Sequence, residues 1–189
     1  MTERPAPLSS AAAQALIRTV DARVRSIPDF PRPGILFRDI TPVLQDAASL
    51  AAALDLHVHA IADLVGSIDV VAGIESRGFL FGMALAVRLN AGFVLVRKPG
   101  KLPYETIEVA YALEYGEDRL QVHADAIRPG QRVLVVDDLL ATGGTAGATC
   151  RLVERLGGSV EAALFLIELA GLPGRERLAP RRVETILQY

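Results

Sequence analysis

The sequence predicts an α/β domain, a parallel twisted sheet flanked by helices. Three observations predict it. From Asp69 onward, short apolar runs alternate with segments of helical spacing. The runs DVVAGI, GFVLVRK, RVLVVDD and VEAALFLIEL are apolar almost throughout, as strands covered on both faces must be. The length of 189 residues gives one domain with a substantial core and is too short for two comfortable ones.

The elements follow in order. The stretch to about Arg25 reads as helix. It starts with MTERPAPLSS, which lacks the basic-then-apolar pattern of a signal peptide, and Gln14 and Arg18 break up the apolar AAAQALI that follows. IPDFPRPGILFRDITPV is rich in proline, so neither a regular helix nor a central strand fits there. SLAAALDLHVHAIADLVG has helical spacing. DVVAGI is the first clear strand, GFLFGMALAVRLN its helix and GFVLVRK the second strand. The segment from Lys101 to Ile127 is long, with strand-like ends. Its part 101–116 has few firm core signals and is expected to be a flexible lid over a site. RVLVVDD is the third strand, TAGATCRLVERLG the next helix, VEAALFLIEL the fourth strand and VETILQY a candidate fifth.

Composition excludes several classes. At 51% hydrophobic residues the chain is not a disordered protein. No apolar run approaches the ~18–20 residues that span a bilayer. Cys150 is the only cysteine, so no internal disulfide forms, which fits a reducing, cytoplasmic location. The net charge of −2, with both signs interspersed, gives no support to a nucleic-acid or membrane partner.

In open parallel sheets, ligands bind beyond the carboxyl ends of the strands. That places the turns ESRG and DDLLATGGT on one rim. Ala141-Thr142-Gly143-Gly144-Thr145 offers backbone N–H groups and two hydroxyls, with no carboxylate. Glycines permit positive φ and close approach, and a helix N-terminus adds unpaired donors. Such a turn cradles a phosphate without a lysine. It is neither a Walker loop nor a dinucleotide fingerprint, since G-x-x-x-x-G-K-[ST] and G-x-G-x-x-G are both absent. Asp137 and Asp138 precede it, and carboxylates accept hydrogen bonds from sugar hydroxyls or hold a hydrated divalent cation. The pattern therefore suits a sugar phosphate, with acids on the polyol and amides on the phosphate.

Asp-Asp followed by Thr-Gly-Gly-Thr resembles the phosphoribosyl-pyrophosphate signature of type I phosphoribosyltransferases. PDFPRPGILFRDITPVL, GIESRGFLFG, RKPGKLP, LEYG and VDDLLATGGT, in that order, are similar to the adenine phosphoribosyltransferase branch of the family, and GRERLAP and the closing LQY resemble its C-terminal motifs. The resemblance covers nearly the whole chain apart from roughly the first twenty residues. It implies the type I phosphoribosyltransferase fold as a single domain, 1–189. A small hood from the N-terminal side, 27–45, would recognise the base.

The resemblance also implies roles. Adenine and phosphoribosyl pyrophosphate would be the substrates, AMP and pyrophosphate the products, and Mg2+ the cofactor. Magnesium would be held by the substrate, with no direct protein ligand, through water on Asp137 or Asp138. Glu75, Ser76 and Arg77 would form the pyrophosphate loop, joined by Arg97, Lys98 and Lys101, with Lys101 coming from its own or a neighbouring subunit. Leu36 and Arg38 would read the adenine edge through backbone groups, and Phe37 would stack on the ring. Glu114 and Tyr115 would close over the reacting centre, with Glu114 as general acid or base. Arg77, Asp137 and Asp138 complete the catalytic set, and a homodimer is expected.

Two enzyme-class alternatives and one regulator stand beside this reading. A serine hydrolase elbow needs G-x-S-x-G, whereas this turn reads G-x-x-S-x-G, and no histidine follows His123. A phosphoribosyltransferase for another purine shares most of the motifs. A non-catalytic sensor that binds nucleic acid would need a basic face. His57 and His59, two apart on a helix, diverge and hold no metal.

Overall fold

The computed structural model describes residues 8–113 and 116–189. The helix α1 (Ser10–Asp21) begins where the Ser9 side chain accepts from the Ala12 amide at 3.2 Å. Strands β1 (Arg25–Pro28) and β2 (Leu36–Asp39) pair antiparallel. The proline-rich stretch thus holds a small two-stranded sheet of its own, apart from the main one. Helices α2 (Thr41–Gln45) and α3 (Ala47–Ala60) follow, the second capped by Asp46 on the Ser49 amide at 2.8 Å.

The main sheet is made of β3 (Val70–Ile74), β4 (Gly92–Val96), β7 (Arg132–Leu140), β8 (Ser159–Glu168) and β9 (Val183–Gln188). Its order is β4-β3-β7-β8-β9, and every pairing is parallel. The fifth strand expected from VETILQY is β9. Helices α4 (Gly78–Leu89) and α5 (Gly144–Arg155) follow β3 and β7, and a short α6 (Gly174–Leu178) precedes β9.

Alternation along the strands sorts two cores. Val71, Leu134, Val136, Leu164 and Leu166 face a core with α1, α3 and α4. Ala72, Ile74, Val133, Val135 and Phe165 face a core with α5. Both faces are buried, which is why the strands read as continuous apolar runs.

The second face departs from expectation. Besides α5 it carries a hairpin, β5 (Thr106–Leu113) with β6 (Gly116–His123), paired antiparallel along its length. Val109, Tyr111, Leu120 and Val122 of this hairpin are buried in the α5 core. The segment 101–116 is therefore not a lid throughout. Residues 101–105 are irregular, whereas Thr106–Leu113 is a strand packed on the body of the domain. The expectation of few core residues fails because Val109 and Tyr111 lie on the inward face of an alternating strand.

The topology places the site. β3 feeds α4 on one face, and its neighbour β7 feeds α5 on the other. Adjacent strands whose helices part to opposite faces open a crevice at their carboxyl ends.

Candidate active site

The crevice is a cavity of ≈ 230 Å³ lined by Arg77 and by Asp137 through Ala146. β7 delivers Asp137 and Asp138, and α5 begins at Gly144. Gly143 caps the helix at φ 78°, a left-handed conformation that favours glycine. The first helical bond runs from the Gly147 amide to the Gly143 carbonyl at 2.8 Å. The amides of Gly144, Thr145 and Ala146 lie ahead of it, without acceptors in the helix, and all three residues line the cavity. Unpaired amides and the positive end of the helix make this wall a seat for an anion.

A glycine contact supports the loop from behind. A Cβ on Gly143 would meet the Gly174 carbonyl oxygen at 2.7 Å, and one on Gly174 would meet Leu140 Cγ at 2.9 Å and the Ala141 carbonyl oxygen closer still. The chain at Gly174 is itself held by Arg175, which donates to Glu168 Oε1 at 3.1 Å and Oε2 at 2.6 Å. The GRERLAP motif thus floors the anion loop, a role the sequence did not reveal.

The two acids differ. Asp138 is 3% exposed and pairs with Arg77, Nε to Oδ2 at 2.5 Å. Asp137 accepts the Asp138 amide at 2.9 Å. Burial, and then the neighbouring Asp138 charge, raise the Asp137 carboxyl well above the usual carboxylate range. Opposite it is the start of α4, where a Cβ on Gly78 would sit 3.0 Å from Asp137 Oδ1 and 2.6 Å from the Val136 carbonyl oxygen. The missing side chain lets the β3–α4 turn close against the end of β7.

The remaining sequence-predicted residues do not line this cavity and fall in two groups. On the β3–β4 side, Glu75 accepts from Arg97 Nη2 at 3.1 Å and from the Lys98 amide at 2.9 Å. Burial alone would raise Glu75, but the bonds from Arg97 and Lys98 and the charges of Arg97 and Lys101 hold its carboxyl below the usual range. Arg97 Nη1 donates to the Lys101 carbonyl at 3.0 Å, and Lys98 Nζ is engaged by Asp118 of β6. Ser76 and Lys101 are exposed. This group gathers three cationic side chains and one carboxylate after the carboxyl ends of β3 and β4.

On the other side is the small sheet. Leu36 is 49% exposed, and Phe37 makes an edge-to-face pair with Phe30, centroids 5.1 Å apart. The Arg77 guanidinium stands 5.7 Å from the Phe37 ring centroid. Arg77 therefore reaches both the acid pair and the aromatic face. Arg38 extends over the ring of Tyr189. Glu114 and Tyr115 lie outside the described residues.

The structure adds Leu139, Leu140 and Ala146 to the cavity wall. Their apolar character hid them in the sequence, although they continue the same turn. Among the described residues, no group of three or more His, Cys, Asp or Glu converges as a metal cage would. His57 is buried, stacked on Phe81 at 5.3 Å, with Nδ1 on the Ala53 carbonyl oxygen at 2.6 Å, and burial lowers it to about 4.

Known proteins are similar to this chain in sequence and fold. A family model described as the phosphoribosyl transferase domain matches residues 38–182. The adenine phosphoribosyltransferase of Homo sapiens is 53% identical over 178 residues, 94% of this chain and 99% of that protein. The crystal structure of adenine phosphoribosyltransferase from Rhodothermus marinus superposes with a TM-score of 0.88 at 52% identity, covering 93% of this chain and 99% of that one. The Saccharomyces cerevisiae enzyme, complexed with D-2,5-dideoxy-2,5-imino-altritol 1,6-bisphosphate and adenine, gives 0.85 at 40% identity over 92% and 99%. A chain matched by this family model over residues 38–182, and by such relatives over nearly its whole length, belongs to the phosphoribosyl transferase domain family, among the adenine phosphoribosyltransferases.

Proposed function

We infer that the protein transfers the 5-phosphoribosyl group from phosphoribosyl pyrophosphate to adenine, giving AMP and pyrophosphate. The observation that carries this is the ≈ 230 Å³ cavity in which two aspartates run directly into an amide-lined anion loop. The amides of Gly144, Thr145 and Ala146, with the hydroxyls of Thr142 and Thr145, take the 5-phosphate. Asp137 and Asp138 take the ribose hydroxyls, and the Glu75–Ser76–Arg77 turn with Arg97, Lys98 and Lys101 takes the pyrophosphate. Adenine lies against Phe37, its edge on the backbone of Leu36 and Arg38.

The reaction breaks the bond from the anomeric carbon to pyrophosphate, and the electron pair departs with pyrophosphate. Positive charge builds on the sugar ring, beside the two carboxylates. A purine ring nitrogen then bonds to the anomeric carbon from the opposite face, inverting it. Glu114 is assigned the proton that this nitrogen releases. The contribution of the protein is electrostatic and positional.

Magnesium fits this donor set. Mg2+ prefers oxygen ligands and is commonly bound by one or two carboxylates, substrate phosphates and water. Asp137 or Asp138 would hold it, through water, beside the substrate oxygens. When bound it neutralises charge on the departing pyrophosphate.

The protein acts as a homodimer in this reading. Leu80, Met83 and Val87 are half or more exposed on one face of α4, and exposed Leu95 lies on β4, the open edge of the sheet. A second copy is the partner such a patch serves, and Val87→Glu should shift the mass seen by light scattering from dimer to monomer. A cytoplasmic location accords with one buried cysteine, Cys150, whose thiol is pushed up to about 11 by burial. No helix among the described residues is long and apolar enough to cross a membrane.

The test is pyrophosphate release with phosphoribosyl pyrophosphate, magnesium and one base at a time. Adenine should support release, while hypoxanthine, guanine and xanthine should not. Equal release with hypoxanthine would reassign the base, and no release with any base would leave a non-catalytic sensor.

A further inference from the structure

The small β1–β2 sheet raises a mechanical question. Two strands of four residues each cannot hold a fixed place in water by themselves. Their position relative to the anion loop must come from contacts with the body of the domain. One such contact comes from a distant part of the chain. The Arg38 guanidinium lies 4.1 Å from the centroid of the Tyr189 ring. Tyr189 follows β9 and is fixed on three sides. Its amide donates to the Glu168 carbonyl at 3.0 Å, its carbonyl accepts from the Ala170 amide at 2.6 Å, and its phenol donates to Asp21 Oδ1 of α1 at 2.5 Å. Burial, and then the Asp21 contact, raise the phenol far above its usual range, so it stays a donor. The guanidinium in turn is aligned by Ser26 Oγ of the paired strand at 2.5 Å.

We propose that Tyr189 is a positioning residue for the base: its ring seats Arg38 and so sets where strand β2 presents its backbone to the purine. The inference rests on the adenine-transfer reading above. It assigns the closing Leu-Gln-Tyr stretch a part in substrate selection although Tyr189 does not line the anion cavity. The geometry makes the effect selective. The anion loop belongs to β7 and α5, which the β1–β2 sheet does not pair with, so loss of the stack should move the base and leave the sugar phosphate in place.

Steady-state kinetics separate the two substrates. A guanidinium over an aromatic ring contributes enough that Tyr189→Leu should raise the KM for adenine about three- to tenfold. The KM for phosphoribosyl pyrophosphate should stay unchanged. Tyr189→Phe keeps the ring and should restore most of the adenine affinity. Arg38→Met leaves the backbone of β2 intact and should match Tyr189→Leu, and the double variant should be no worse than either single one. An unmoved adenine KM, equal increases in both KM values, or additive losses in the double variant would each overturn the proposal. If Tyr189→Leu does not fold, Arg38→Met decides alone: an unchanged adenine KM overturns it. A wild-type protein that ignores adenine would sink the functional reading, whereas normal wild-type turnover with indifferent variants would sink this inference only.

Discussion

The two walls of the crevice are built on different principles. The anion wall is the end of a core strand, and Asp138 within it is 3% exposed. Its shape is set by backbone meeting backbone at Gly143 and Gly174, with no room for a side chain. The base wall is a separate two-stranded sheet with open apolar residues on it and in its connecting turn, Leu36 at 49% and Phe30 at 51%. Side chains hold it in place, Arg38 on Tyr189 and Arg77 beside Phe37. One wall is preformed for charge, where misplacement by an ångström is costly. The other exposes apolar surface that a flat ligand would cover.

The contrast can be broken at its strongest point first. Replacing both acids, Asp137→Asn with Asp138→Asn, should lower kcat/KM by about a thousandfold while the circular dichroism spectrum stays native. Full turnover would show that the acid pair is not the centre of the rigid wall. Next, Gly174→Ala forces a methyl group against Ala141 and Leu140, and should raise the KM for phosphoribosyl pyrophosphate by about ten- to a hundredfold. An equal rise for adenine would erase the distinction between the walls. On the softer side, Phe37→Leu should raise the adenine KM about three- to tenfold and spare phosphoribosyl pyrophosphate.

The smallest effect concerns stability. The Asp137 carboxyl is raised in the folded protein, so the folded state holds that proton more tightly than the unfolded chain. As pH rises from the ordinary value of 3.8 through the raised one, the ionised acid costs the fold stability. Asp137→Asn removes that cost and keeps an oxygen to accept the Asp138 amide. It should raise Tm by about 2–4 °C at neutral pH, and the gain should vanish below about pH 4. A lower Tm at pH 7 in differential scanning calorimetry would contradict the assignment of Asp137 as a strained acid.

The same contrast explains what the sequence displayed. Asp137 through Thr145 is contiguous, so strand, acids, glycines and helix start could be read from one stretch. The base wall was less visible. Pro28, Pro31 and Pro33 mask a pair of four-residue strands, and a pairing that short leaves little periodicity to detect. Strand β5 reads as part of a lid because Thr106 and Glu108 alternate with its larger apolar residues. Its period of two, with Ile107, Val109 and Tyr111 on one face, was the available signal. Gly174 behind the anion loop and Tyr189 under Arg38 depend on contacts between distant segments, and no local pattern encodes those.

The most direct measurement is a calorimetric titration of the ligand-free protein with ribose 5-phosphate, beside unphosphorylated ribose. Saturable binding of one ribose 5-phosphate per chain is expected, with none of ribose and a marked loss of affinity in Gly174→Ala. Equal heats from both sugars, or no heat from ribose 5-phosphate, would contradict the claim that the Ala141–Thr145 turn and the two aspartates form one sugar-phosphate site.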